Sequence, residues 1–211
     1  YGDHRDLHRL IRRQRQMCIR DRMKRCKSGD LSAFELLVLR YKDEVMNFIY
    51  HVIGDYHRAE DLCQETFIKV FENAGNYRPR ERFRSWLFTI AVNLCRNELR
   101  YRARHKAASL EDLLQADPLS ERFLIDRADT PDMICEKKER EEIVRRAIES
   151  LPESQRMALV LREYDSLRYD EIASALGCSV SAVKSLIHRA RQNLRKVLLK
   201  AGLGEGYNAG I

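Results

Sequence analysis

From Leu31 onward the apolar residues Leu31, Phe34, Leu37, Val38, Tyr41, Val45, Phe48, Ile49 and Val52 fall every three or four positions. That period admits an amphipathic helix and excludes a strand, whose side chains alternate with period two. Asp30 or Ser32 is placed to cap this helix, Ser32 with Glu35 having capping-box spacing, and Gly54 ends it. A second helix follows in DYHRAEDLCQETFIKVFENAG, with Asp55 as cap, Ala59, Leu62, Thr66, Val70 and Phe71 on one stripe, and Gly75 as the stop. Pro79 disfavours helix at Arg78, after which FRSWLFTIAVNLCRNELRYRARH reads as a third helix with Trp86, Leu87, Ile90, Ala91 and Leu94 inward. Helices of this length make a small bundle.

Residues 107–140 change character: they hold Glu111, Asp112, Asp117, Glu121, Asp126, Asp129, Asp132, Glu136 and Glu139, with Pro118 and Pro131. They read as a polar, flexible, acidic linker. Helical pattern resumes at EEIVRRAIESLP and runs through ESQRMALVLREY and RYDEIASAL into ALGCSVSAVKSLIHRAR, about four short helices. Nothing reads as a convincing strand. The fold class expected is all-α, two small helical domains at 23–106 and 141–203, with a glycine-rich tail at 204–211. Residues 1–22, ending RRQRQMCIRDR, are basic with little amphipathicity. They read as a disordered arm or as sequence foreign to the fold, similar to translated adapter read-through, with Met23 as the candidate start; a basic arm touching nucleic acid is the alternative.

The chain of 211 residues carries a net charge of +7, which favours a polyanionic partner without choosing among DNA, RNA, an acidic membrane or an acidic protein. Distribution decides. In residues 169–188, Ala173 is small where two helices cross, Gly177 permits a left-handed turn, and Val183 and Ile187 face back into a core, as a helix-turn-helix requires. The outward stripe of its second helix is Ser181, Lys184, Ser185, His188 and Arg191, flanked by Arg189, and no acid occurs between Glu171 and Glu205. A charge run alone is usually a solvated face; one that coincides with a turn and an apolar back face points to duplex DNA.

Residues 78–106 carry Arg78, Arg80, Arg82, Arg84, Arg96, Arg100, Arg102, Arg104 and Lys106 against Glu81 and Glu98 only, with Tyr77, Phe83 and Trp86 interleaved. Cations along a backbone with aromatic rings close by suit unpaired bases beside phosphates. The competing role for Phe83 and Trp86 is ordinary core packing; Tyr77, in the loop, is less suited to it. The neighbouring helix presents Asp61, Gln64 and Glu65, a face for a basic protein surface or for solvent. Six scattered cysteines without a C-x-x-C pair argue against a zinc site or a disulfide framework, and no apolar stretch approaches the ~20 residues of a membrane span. No phosphate loop, H-E-x-x-H or nucleophile elbow suggests an enzyme, so no catalytic residue, metal or cofactor is expected, and the location expected is cytoplasmic.

On these residues the chain resembles the sigma-70 family of bacterial RNA polymerase initiation factors, in its extracytoplasmic-function (ECF) group. GDLSAFELLVLRYKDEVMNFIYHVIGDYHRAEDLCQETFIKVFENAGNYRPRERFRSWLFTIAVNLCRNELR is similar to region two and SLPESQRMALVLREYDSLRYDEIASALGCSVSAVKSLIHRARQNLRK to region four, together covering about residues 27–106 and 141–200. The resemblance implies that Asp61, Gln64 and Glu65 dock on the clamp of the polymerase largest subunit. It implies that Tyr77 lies at a flipped-base pocket of the minus-10 element, with Arg78, Arg84, Trp86, Asn93, Arg96 and Arg100 on nearby bases or phosphates. Ser179, Ser181, Lys184, Ser185, His188, Arg189 and Arg191 would meet the minus-35 duplex. Further implied partners are the flap of the second-largest subunit and an anti-sigma factor, without membrane insertion. The family often reads GTVKSRLHRAR where this chain has SAVKSLIHRAR, so Leu186 stands in place of a cation and minus-35 preference does not carry over. The rival reading is a stand-alone helix-turn-helix regulator with an N-terminal sensor or dimerisation bundle.

Overall fold

A computed structural model of the chain describes residues 19–78, 82–106 and 131–202. The expectations for residues 1–18, for Pro79 and Arg80, for 107–130 and for the tail lie outside the described residues. The described residues are helical with no strand: α1 (residues 19–27), α2 (Leu31–Ile53), α3 (Tyr56–Glu72), a single 3-10 turn (Ala74–Asn76), α4 (Phe83–Lys106), α5 (Pro131–Glu149), α6 (Glu153–Glu163), α7 (Tyr169–Leu176) and α8 (Val180–Lys200).

Local chemistry sets most of the ends. Asp30, not Ser32, caps α2, its carboxylate accepting from the Ala33 amide at 3.1 Å. Asp55 does the same for α3 at the Arg58 amide, 2.9 Å away. Gly54 stops α2 at φ 77°, a left-handed conformation that side chains avoid. α3 ends at Glu72 rather than at Gly75, because the Asn73 backbone and side chain both donate to the Lys69 carbonyl and the chain turns there into the 3-10 segment.

Two boundaries differ from expectation. Helix is described from residue 19, ahead of Met23: Met23 and Cys26 are buried, and Ile19 packs against the core. Apolar spacing of four and three across Ile19, Met23 and Cys26 supplies the buried stripe. The helix read from Glu141 starts instead at Pro131, ten residues inside the segment read as linker. Proline at a first helical position is favourable because the missing amide has no acceptor there anyway.

α2, α3 and α4 form the front bundle and α5 to α8 the rear one; α4 packs along α7, and α2 against α5 and α6. One continuous buried cluster runs through both halves, from Leu37, Phe48, Leu62, Leu87 and Phe88 to Met157, Leu161, Leu167 and Ile172. Each such side chain contributes roughly 1.5–3 kcal/mol on leaving water. Free Cys63 and Cys95 lie within it, where burial pushes the Cys63 thiol up to about 11 and Cys95 up as well.

Between α6 and α7 the chain turns at Ser166, which adopts φ 51° without being glycine. A left-handed residue with a Cβ is strained by roughly 1–2 kcal/mol. Ser166 is exposed, so the side chain itself gains little there. Ser166→Gly is therefore expected to raise stability by about 1 kcal/mol in urea titration, and no gain, or a loss, would show that the turn is not strained.

Candidate nucleic-acid interface

α8 begins where the Ser179 hydroxyl accepts from the Ala182 amide at 3.1 Å and meets the Ser181 hydroxyl at 2.9 Å, so Ser179 holds the helix start. Gly177 at φ 69° makes the turn before it, and buried Val183, Ile187 and Ala190 fix α8 against α6 and α7. That back face leaves Ser181, Lys184, Ser185, His188 and Arg189 exposed on the other side. His188 meets the Gln192 amide at 3.0 Å. Arg191 is half-buried and ion-paired with Glu163 of α6 at 2.7 Å, which holds its guanidinium at the edge of the stripe.

On α4 the cations divide by what they are bonded to. Asn93, Asn97, Arg100 and Arg104 recur at spacings of four, three and four and are all exposed. An open groove of about 580 Å³ is lined by Asn97, Arg100, Ala103 and Arg104. Sequence reading missed Asn97, although its spacing from Asn93 and Arg100 carried the signal. Arg102, counted there among the available cations, is committed elsewhere. It donates to Glu98 at 2.8 Å, to the Ile53 carbonyl at 3.2 Å and to Asp55 at 3.3 Å.

Glu98 is buried, and Arg58 of α3 donates to its other oxygen at 2.8 Å. Burial pushes the Glu98 carboxyl upward, but the two guanidinium groups outweigh it and hold it below the usual carboxylate range. Arg58 also lies 3.5 Å from Asp61, so this network runs from the acidic face of α3 to the basic face of α4.

The remaining expected residues are less free than the sequence suggests. Tyr77 is half-buried, its ring 5.3 Å from that of Trp86 and 5.9 Å from that of Phe83, against the core. Core packing, the role to which its loop position made Tyr77 less suited, thus takes part of its ring. Trp86, expected inward, is half-buried, while Phe83 is a core residue. Arg78 is exposed. Arg84 donates to Glu44 at 2.9 Å and to the Asp165 carbonyl at 2.5 Å, and Arg96 donates to the Leu176 carbonyl at 3.1 Å. Asp165 is buried with its Oδ2 unpartnered; burial pushes its carboxyl up to about 8 against the pull of Arg84. On α3, Asp61 and Gln64 are exposed and Glu65 is half-exposed, 3.5 Å from Lys69.

No described helix is long and apolar enough to cross a membrane. Residues 37–106 match the family described as Sigma-70 region 2, and residues 141–194 that described as Sigma-70, region 4. The RNA polymerase sigma-H factor of Pseudomonas aeruginosa is 35% identical over 176 residues, covering 83% of this chain and 91% of that protein. The ECF RNA polymerase sigma-E factor of Escherichia coli K12 is 37% identical over 172 residues, covering 81% and 88%. Among solved structures, CnrH in complex with the cytosolic domain of CnrY aligns with a TM-score of 0.63 at 25% identity, covering 87% of this chain and 98% of that one.

The Glu98 network yields a pH-dependent expectation. A carboxyl held below its unfolded value stabilises at neutral pH, and that contribution is lost as pH falls through the folded value. Glu98→Ala is expected to lower stability by about 2 kcal/mol at pH 7, the difference from wild type shrinking below pH ~4. A pH-independent difference would show that packing, and not the charge, carries the effect.

Proposed function

The chain belongs to the sigma-70 family, in its ECF group, and from that premise we propose how its surfaces divide the work. It is a transcription initiation factor: it binds RNA polymerase core and directs promoter recognition. The carrying observation is that acidic and amide residues of α3 (Asp61, Gln64) and basic residues of α4 (Arg100, Arg104) and α8 (Lys184, Arg189) are exposed on different helices. Asp61, Gln64 and Glu65 dock the polymerase clamp. Asn93, Arg96 and Arg100, with Arg78 and Arg84, take phosphates and bases of the non-template strand at the minus-10 element, and the Tyr77–Trp86 pair offers ring surface for an extruded base. Extrusion costs a few kcal/mol, offset by stacking and phosphate contacts, so strand opening needs no nucleotide hydrolysis and the chain no catalytic residue or cofactor.

Ser181, Lys184, Ser185 and His188 enter the major groove of the minus-35 duplex, with Arg189 and Arg191 on phosphates or adjacent edges. Ser179 joins them mainly by holding the helix start. Further partners proposed are the flap of the second-largest subunit and an anti-sigma factor, and the location proposed is the cytoplasm; CnrH is itself solved with the cytosolic domain of another protein. A stand-alone regulator gives no role to the α3 face.

Reconstituted initiation with purified core separates the faces. Lys184→Ala is expected to weaken minus-35-dependent initiation about tenfold, within the ~1–3 kcal/mol of one groove or phosphate contact, and to leave core association unchanged. Asp61→Arg is expected to weaken core association by about tenfold or more through like-charge repulsion, with binding to an isolated minus-35 duplex unaltered. The reverse pattern would overturn this assignment.

A further inference from the structure

We propose that Gln192 is a positioning residue for duplex reading: its side-chain amide holds the His188 imidazole with the ring proton on Nδ1, so that His188 meets a base edge as a hydrogen-bond donor. The inference rests on the placement of His188 in the minus-35 major groove. His188 and Gln192 stand one helical turn apart on α8, and both are exposed. The Gln192 side-chain nitrogen lies 3.0 Å from His188 Nε2. An amide nitrogen only donates, so Nε2 presents its lone pair, and the single ring proton of a neutral imidazole is then on Nδ1.

Neighbours on the stripe leave this bond in place. Ser185 turns its hydroxyl to the Ser181 carbonyl at 3.1 Å, the Ser181 hydroxyl meets that of Ser179 at 2.9 Å, and Arg191 is held by Glu163 at 2.7 Å. No acid stands between Glu171 and Glu205, so α8 carries no carboxylate that would hold a proton on Nε2. Lys184, Arg189, Arg195 and Lys196 are donors only. They can satisfy the Gln192 carbonyl oxygen but not its nitrogen, which leaves the nitrogen to the ring.

A ring that donates reads acceptors. In the major groove guanine offers N7 and O6, adenine N7 and thymine O4, whereas cytosine offers only its amino donor. With the proton on Nε2, Nδ1 would accept instead and favour the amino groups of adenine and cytosine. Gln192 thus decides which edges His188 reads without touching DNA. In water an exposed pair of this kind is weak, but it strengthens where the groove excludes solvent, which is where the reading takes place.

The test uses the full chain and a duplex it selects from a random library, varied one base pair at a time, with ring-nitrogen NMR of His188 in the free and bound chain at pH ~8.5, above the histidine titration range. Wild type is expected to hold the proton on Nδ1 and to prefer guanine over cytosine at the base facing His188, identified as the position whose preference His188→Ala abolishes. Gln192→Ala is expected to move the proton toward Nε2 and to cut that preference about fivefold, the scale of one net hydrogen bond, with thermal stability unchanged because the side chain is exposed. In a His188→Ala background the same substitution is expected to change nothing further. A wild-type proton on Nε2, or a loss that persists without His188, would overturn the proposal; the second would mean that Gln192 touches the duplex itself. Selection of no duplex, or a preference that His188→Ala leaves intact, would instead overturn the placement of His188 in the groove, while the spectrum of the free chain still decides which ring nitrogen Gln192 holds.

Discussion

Helix ends leave carbonyl groups without an intrahelical donor, and in this chain arginines from distant helices supply it. Arg102 reaches the Ile53 carbonyl and Arg156 the Val52 carbonyl at the end of α2. Arg96 takes the Leu176 carbonyl at the end of α7, and Arg84 the Asp165 carbonyl just past α6. Each bond satisfies an orphaned acceptor with a cation where the helix dipole is negative, a favourable placement on both counts. Each also spans a large stretch of sequence, up to 104 residues for Arg156. Those of Arg84, Arg96 and Arg156 cross between the two bundles, which also share one apolar cluster.

The same bonds ration positive charge. α4 is rich in arginine, yet what it can offer a polyanion depends on which guanidinium groups the protein has already engaged. Arg102 is committed within the front half by buried Glu98. Arg84 and Arg96 are engaged by the rear bundle, and Arg100 and Arg104 stay on the open groove. On α8 the division is cleaner, because Val183, Ile187 and Ala190 fix one face and leave the other to solvent. The proposed division of labour draws on both kinds of surface, one for separated strands on α4 and one for duplex on α8.

Much of this was legible in the sequence where the cause is local. Asp55, Gly54 and Gly177 act through neighbours within a few residues, and the outward stripe of α8 follows from helical period alone. The helical residues 19–27 and the start of α5 carried signals too, in the spacing of Ile19, Met23 and Cys26 and in Pro131 as a first helical residue; basic and acidic composition hid them. The carbonyl partners of Arg84 and Arg96 lie 81 and 80 residues away, and no residue pattern encodes a backbone carbonyl. Tyr77 misled for a related reason: the loop that carries it is folded back so that its ring meets Trp86 and Phe83.

Permanganate reactivity of promoter thymines tests the division of labour most directly. With core polymerase and this chain together, unpaired thymines are expected to become reactive around the minus-10 element on a matching promoter, and with either component alone the duplex should stay protected. Thymines that stay unreactive under every combination, while the chain alone binds the duplex tightly, would contradict the account.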